Sequence, residues 1–166
     1  MKGTAGMGVE IERKWLVEAV PETVRQGLSA CRHTEIEQGY LCTEPVVRVR
    51  RDGEQYWLTY KGRGQLLREE YNLPLTEEAY AHLIKKADGV ILTKTRYRIP
   101  LPDGLTAELD IFHGQYEGLI YVEVEFETEA DARRFAAPGW FGRDVTKEPA
   151  YSNSMLSTGL SQLSKP

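Results

Sequence analysis

Eight segments of this chain alternate apolar and polar residues with a period of two, and in seven of them the polar face is charged. A period of two is the mark of a β-strand, because successive side chains point to opposite faces. Val9–Val17 sets Val9, Ile11, Trp15 and Val17 against Glu10, Glu12 and Lys14. Val46–Arg51 sets Val47 and Val49 against Arg48 and Arg50, and Asp52-Gly53 is a hairpin turn signal. Gln55–Lys61 sets Tyr56, Leu58 and Tyr60 against Trp57, Thr59 and Lys61; Gly62-Arg63-Gly64 turns the chain again. Leu67–Leu73 carries Arg68, Glu70 and Asn72 on one face, and Leu92–Ile99 carries Lys94, Arg96 and Arg98. After the Pro102-Asp103-Gly104 turn, Leu105–Phe112 opposes Glu108 and Asp110 to an apolar row. Leu119–Glu127 does the same with Glu123 and Glu125, and Ile36–Leu41 is a shorter strand candidate.

Helical patterns are fewer. Thr76–Ala87 has a capping Thr, acidic residues in its first turn and Lys85 and Lys86 in its last. Pro21–Cys31, Thr128–Ala137 and a short stretch after Tyr151 complete the set. Neither an internal repeat nor a linker divides the chain. Residues 8–160 read as one domain, with residues 1–7 as a flexible leader and 161–166 as a tail. The class is α+β, dominated by an antiparallel sheet.

An antiparallel sheet commonly wets one face, and charges there serve solubility alone. Here the signs are sorted by strand. The first strand and the last two carry most of the carboxylates, and the middle strands carry most of the cations. A polyanion bound beside a hard metal ion needs such sorting. Glu-x-Glu on a strand puts two carboxylates on one face about 7 Å apart. Mg²⁺ and Mn²⁺ take such oxygen ligands together with substrate phosphates. Arg48 and Arg50, or Lys94 and Arg96, would grip phosphate oxygens in register. So many charges cannot be buried dry. The pattern predicts an eight-stranded antiparallel barrel with a wet, charged lumen, apolar faces turned outward and helices packed outside.

The bulk numbers narrow the function classes. A net charge of -4 excludes broad nucleic-acid or membrane-surface binding. No apolar run reaches the length of a membrane span and no signal-peptide core is present, so the expected compartment is the cytoplasm. Cys31 and Cys42 have no zinc or disulfide spacing and read as small buried apolar residues. His33, His82 and His113 are too scattered for a metal site, and Trp15, Trp57 and Trp140 read as packing residues. No phosphate-binding glycine loop and no Gly-x-Ser-x-Gly elbow occurs.

At Glu10-Ile11-Glu12-Arg13-Lys14 the chain resembles the CYTH superfamily, the triphosphate tunnel metalloenzymes, whose signature is Glu-x-Glu-x-Lys near the N-terminus. Further blocks similar to that family follow in order: Gln38–Leu41, Val47–Arg50, Leu58–Lys61, Arg68–Tyr71, Lys94–Tyr97, Glu108–Asp110, Val122–Phe126, and finally Val145-Thr146 and Tyr151–Asn153. The resemblance implies a closed eight-stranded β-tunnel that cleaves a small-molecule triphosphate with Mg²⁺ or Mn²⁺. By motif match, Glu10, Glu12, Glu123 and Glu125 would hold metal, and Glu108 and Asp110 would serve a second metal or water activation. Glu10, Glu12, Asp110 and Glu125 would form the catalytic set. Lys14, Arg48, Arg50, Lys61, Arg68, Glu70, Lys94 and Arg96 would bind substrate, and Tyr40 would close over the mouth. The family often has Glu-x-Glu where this chain has Glu70-Tyr71-Asn72, which removes a negative charge.

Three functions follow. Hydrolysis of inorganic triphosphate to pyrophosphate and phosphate leads, by likeness to the compact bacterial members. Chemistry on an organic triphosphate (thiamine triphosphate, a nucleoside triphosphate, or cyclisation of ATP) comes second. A polyphosphate-binding module without turnover comes third. The sequence leaves the oligomeric state, a homodimer included, open.

Overall fold

The computed structural model describes residues 7–159; the expected tail, and the expected leader apart from Met7, lie outside the described residues. Nine strands form one sheet: β1 (Met7–Leu16), β2 (Arg32–Thr43), β3 (Val46–Asp52), β4 (Gln55–Lys61), β5 (Leu67–Pro74), β6 (Asp88–Pro100), β7 (Thr106–Phe112), β8 (Ile120–Glu125) and the two-residue β9 (Arg143–Asp144). Their order is β5-β4-β3-β2-β6-β7-β8-β1-β9, and β5 also pairs with β1. That extra pairing closes eight antiparallel strands into a barrel, as the alternation predicts. β1 makes closure possible by serving three partners. Its first half, Met7 to Ile11, pairs with β5, and Glu12 to Leu16 pairs with β8. Where β5 ends, β9 takes over beside Trp15 and Leu16.

The outward faces of β1, β7 and β8 form the larger core. Ile11, Trp15, Ala107, Leu109, Val122 and Val124 pack there with Leu28 and Ala132, brought by the region of α1 (Glu22–Gly27) and by α3 (Glu129–Arg134). Each fully buried apolar side chain of this kind contributes roughly 1.5–3 kcal/mol. Thr128 caps α3 by accepting from Asp131 N, and Thr76 caps α2 (Glu77–Ile84) by accepting from Ala79 N.

Three expectations on extent need correction. β2 runs from Arg32 to Thr43, well beyond Ile36–Leu41. Its polar start hides the strand, yet it pairs with β3 on one edge and β6 on the other. All three named helices end early: α1 gives way to a 3-10 turn at Leu28, α2 stops at Ile84 and α3 at Arg134. The α2 end packs on β2 at Gly39, where an added Cβ would stand 2.7 Å from Ala87 Cβ; only glycine allows that approach. The β3–β4 hairpin loop is Gly53-Glu54, since Asp52 still pairs with Gln55, and Gly53 sits at φ 62°. Both cysteines are half-buried next to turns rather than buried, with sulfurs 3.5 Å from the carbonyls of Gly27 and Glu44.

Two residues beyond the last charge on five strands, and beyond Gln38 on β2, the inward row turns apolar: Leu16, Val46, Leu92, Phe112 and Tyr121, with Tyr40. These six form one buried cluster with Val145, Tyr151 and Leu156, the last on α4 (Asn153–Ser157). The barrel is therefore a cup. One end is charged and open, the other is filled by an apolar plug under α4. Among the described residues no helix is long and apolar enough to cross a membrane.

Candidate active site

The open half of the lumen is a cavity of about 1150 Å³, slightly above the usual range for small-molecule sites. Its walls carry inward residues of several strands: Glu10 and Glu12 from β1, Arg48 and Arg50 from β3, Thr59 and Lys61 from β4, Glu70 and Asn72 from β5. Arg96, Glu108, Glu123 and Glu125 line it from β6, β7 and β8. A smaller recess toward the plug shares Asn153 with this cavity and adds Lys14, Arg68 and Tyr40.

Carboxylate oxygens of Glu10, Glu12 and Glu125 lie within 4.8 Å of one another. Register explains the cluster: Glu12 is the cross-strand partner of Glu125, and Glu10 is the next inward residue on β1. Like charges placed opposite each other destabilise a sheet. Burial pushes the Glu12 carboxyl well above its ordinary value, and the neighbouring Glu10 and Glu123 push it further. Burial likewise raises Glu10 to about 7, although Lys61 opposes the shift. Glu123 is nearby, and its Oε1 is buried without a hydrogen bond. A set of hard oxygen donors short of positive charge fits a divalent ion such as Mg²⁺ or Mn²⁺.

The sign of the pH effect follows. A carboxyl whose folded pKa is raised binds more protons folded than unfolded between about 4.5 and 7, so the metal-free protein loses stability as pH rises through that window. A bound divalent ion needs the deprotonated ligands and offsets the repulsion. The rise in Tm on adding Mg²⁺ or Mn²⁺ is expected to be small at pH 5 and to grow to several degrees at pH 8, as read by thermal melts.

The cations divide into two groups. Some are ion-paired. Lys61 Nζ donates to Glu10 Oε1 at 2.9 Å. Arg96 donates from Nε and Nη2 to Asp110 at 2.7 and 2.8 Å, and from Nη1 to Glu108 at 2.9 Å. Lys94 Nζ reaches Asp110 Oδ2 at 2.6 Å. Arg98 pairs with Asp52 at 3.2 Å. In contrast Arg48, Arg50 and Arg68 make no ion pair among the described residues. Arg48 Nη2 donates to Thr59 Oγ1 at 3.2 Å, and its Nε is buried without a partner. Arg50 donates to the Gln38 side chain alone. Lys14 lies 3.7 Å from Glu123 and donates to the Tyr151 carbonyl.

The structure thus brings the expected site residues to one lumen, with distinct roles. Glu10, Glu12 and Glu125 gather into one cluster. Asp110 is fully buried with both oxygens engaged by Arg96 and Lys94, and Glu108 also holds Arg96. Glu70 is joined by Asn72, whose Nδ2 donates to it at 2.8 Å, and Thr59 donates to Asn72 Oδ1 at 2.6 Å. Tyr40 does not close the mouth: it is buried in the apolar plug and reaches only the inner recess. Trp57, read as a packing residue, lines the cavity, and its indole Nε1 is buried without a partner. Sequence reasoning passed over Gln38, Thr59 and Asn153 as site residues. Strand parity alone placed the first two on the inward face, whereas Asn153, which accepts from Lys94 at 3.3 Å, carried no such signal.

The chain matches the CYTH domain family model over residues 8–152. It is 37% identical over 154 residues to an inorganic triphosphatase of Nitrosomonas europaea, covering 91% of this chain and 98% of that protein. It is 34% identical to an inorganic triphosphatase of Acetivibrio thermocellus, covering 90% and 94%. Among solved structures, a crystal structure of an inorganic triphosphatase aligns with a TM-score of 0.64 at 35% identity, covering 90% of this chain and 94% of that one.

Proposed function

This chain belongs to the CYTH domain family, and from that premise we propose that it is a metal-dependent inorganic triphosphatase, cleaving tripolyphosphate to pyrophosphate and phosphate. The observation that carries the reading is the pairing, in one blind cavity, of a crowded carboxylate cluster with arginines that lack carboxylate partners. Glu10, Glu12 and Glu125 would hold a divalent ion, Mg²⁺ or Mn²⁺, which when bound would supply neutralisation of phosphate charge and activation of water. The chain's own groups do the rest. Arg48 and Arg50, with Lys14, Lys61 and Arg68, bind and orient the phosphates, and the low-dielectric wall strengthens each contact. The plug lets the substrate enter from one side only and sets how deep it sits. Asp110 and Glu108 hold Lys94 and Arg96 at the wall. The cytoplasmic compartment expected from the sequence and a small-molecule rather than nucleic-acid substrate belong to the same reading.

A second reading, an organic triphosphate as substrate, is favoured by the cavity volume and by Trp57 on its wall. A phosphate-release assay over tripolyphosphate, ATP and thiamine triphosphate, with and without Mg²⁺ or Mn²⁺, separates the two. Metal-dependent release from tripolyphosphate at least about tenfold above the organic substrates is expected. Comparable or greater release from an organic triphosphate would reverse the order, and tight tripolyphosphate binding without release would leave a binding module.

A further inference from the structure

Arg50 and Arg96 commit the same two donor atoms to acceptors of different charge. Arg96 sends Nε and Nη2 to the carboxylate of Asp110 at 2.7 and 2.8 Å. Arg50 sends Nε and Nη2 to the amide oxygen of Gln38 at 2.9 and 2.7 Å. Each guanidinium commits the same two donors, Arg96 to the two oxygens of a carboxylate and Arg50 to a single amide oxygen, so the acceptors differ by a full charge. A carboxylate acceptor neutralises a guanidinium, while an amide fixes it and leaves the charge in place.

Gln38 is built for that task. It has no exposed surface and faces Arg50 directly across the β2–β3 register. Its Nε2 donates to Tyr40 Oη at 3.1 Å, which turns Oε1 toward the guanidinium. Tyr40 is itself locked in the apolar plug. The tether runs from the rigid closed end of the barrel to a cation on the cavity wall. The guanidinium it holds is crowded: burial, then Arg48 and Arg96, lower Arg50 to about 10. An untethered side chain under that repulsion would swing away.

We propose that Gln38 is a positioning residue for the triphosphate, a neutral fork acceptor that fixes Arg50 while keeping its charge for a substrate phosphate. The proposal rests on the triphosphatase reading. Three consequences follow. Gln38→Glu turns the tether into an ion pair and removes the charge from the substrate's reach. Gln38→Met keeps the charge and the volume but frees the guanidinium. Arg50→Ala in the Gln38→Glu background has little left to remove.

The test is steady-state kinetics with tripolyphosphate and the preferred metal, alongside calorimetric titration of tripolyphosphate into each folded variant. Gln38→Glu is expected to raise KM about tenfold or more with kcat changed far less, as loss of one charge-assisted contact implies. Gln38→Met is expected to raise KM by a smaller factor, and the double variant to match Gln38→Glu within about twofold. A wild-type KM in Gln38→Glu, or an Arg50→Ala loss that multiplies undiminished in that background, overturns the proposal. Should Gln38→Glu melt at room temperature, Gln38→Met carries the test: a severalfold rise in KM supports the tether and a wild-type KM ends it. Wild-type protein that neither binds nor hydrolyses tripolyphosphate overturns the functional reading and the proposal together.

Discussion

Glu12→Gln is expected to abolish metal-dependent turnover and, in the same molecule, to raise the Tm of the metal-free protein. The two effects share one cause. Glu12 sits opposite Glu125 with Glu10 and Glu123 close by, and burial adds to their repulsion. The amide keeps the shape of the side chain and removes the charge. The repulsion therefore falls, and at roughly 2–4 °C per kcal/mol for a chain of this size the gain is readable by a melt at pH 8. Turnover moves the other way. Loss of an outer partner of a metal ligand already costs roughly 10–100-fold, and loss of the ligand itself is expected to exceed that. The metal-induced rise in Tm should shrink with it. Such a trade is usual where a site is held together against its own electrostatics. A variant that kept the wild-type rate would remove Glu12 from the metal cluster; one that lost both rate and stability would make it a structural residue.

Much of this was legible from strand parity. One inward residue on each strand sets the face of the rest, so Glu10, Glu12 and Lys14, or Arg48 and Arg50, could be assigned to the lumen without coordinates. What parity does not encode is the register between strands. Whether Arg50 meets Gln38 or a carboxylate depends on how β2 slides against β3, and Asp110 meets Arg96 only because β6 and β7 align those two positions. The ion-paired and the tethered cations look alike in sequence. The plug escaped for a different reason. Leu16, Phe112 and Tyr121 each end a charged row with one apolar residue, and a single such residue reads as the end of a strand. Only their convergence from six strands, under an α4 that arrives from the far end of the chain, makes a floor.

Asn72 places a neutral amide on the inward row of β5 beside Glu70. A glutamate there would add a charge beside Glu70, whose carboxyl is already held low, to about 2, against burial, by its hydrogen bonds and by Lys61. The amide instead accepts from Thr59 and donates to Glu70. Thr59 in turn accepts from Arg48. A neutral chain of hydrogen bonds thus ends on the second unpaired arginine, as Gln38 ends on the first. The change leaves the three carboxylates of Glu10, Glu12 and Glu125 in place.

The second large effect is expected at Asp110. This carboxylate has no exposed surface and accepts from three donors on two cations, themselves at 0% and 5% side-chain exposure. Burial alone would raise its pKa; Arg96 and Lys94 overcome that and hold it below the ordinary carboxylate range. Asp110→Asn keeps the volume and leaves the two cations sharing only Glu108, Asn153 and the more distant Glu123. Breaking a buried pair in this way costs about 3–5 kcal/mol, which corresponds to a fall in Tm of roughly 6–20 °C. The pH dependence identifies the cause. A carboxyl with a depressed folded pKa contributes stability above its unfolded value and loses it only as pH drops through the folded one. The wild type should therefore keep its advantage over Asp110→Asn from pH 8 to pH 5, with the gap widening as Lys94, which burial lowers to about 7 even beside Asp110, takes up its proton, and surrender it only in stronger acid. Melts of both proteins across that range decide the residue's role. A variant that lost rate while its metal-free Tm stayed at the wild-type value would overturn the pairing role and favour a second metal ion at Asp110.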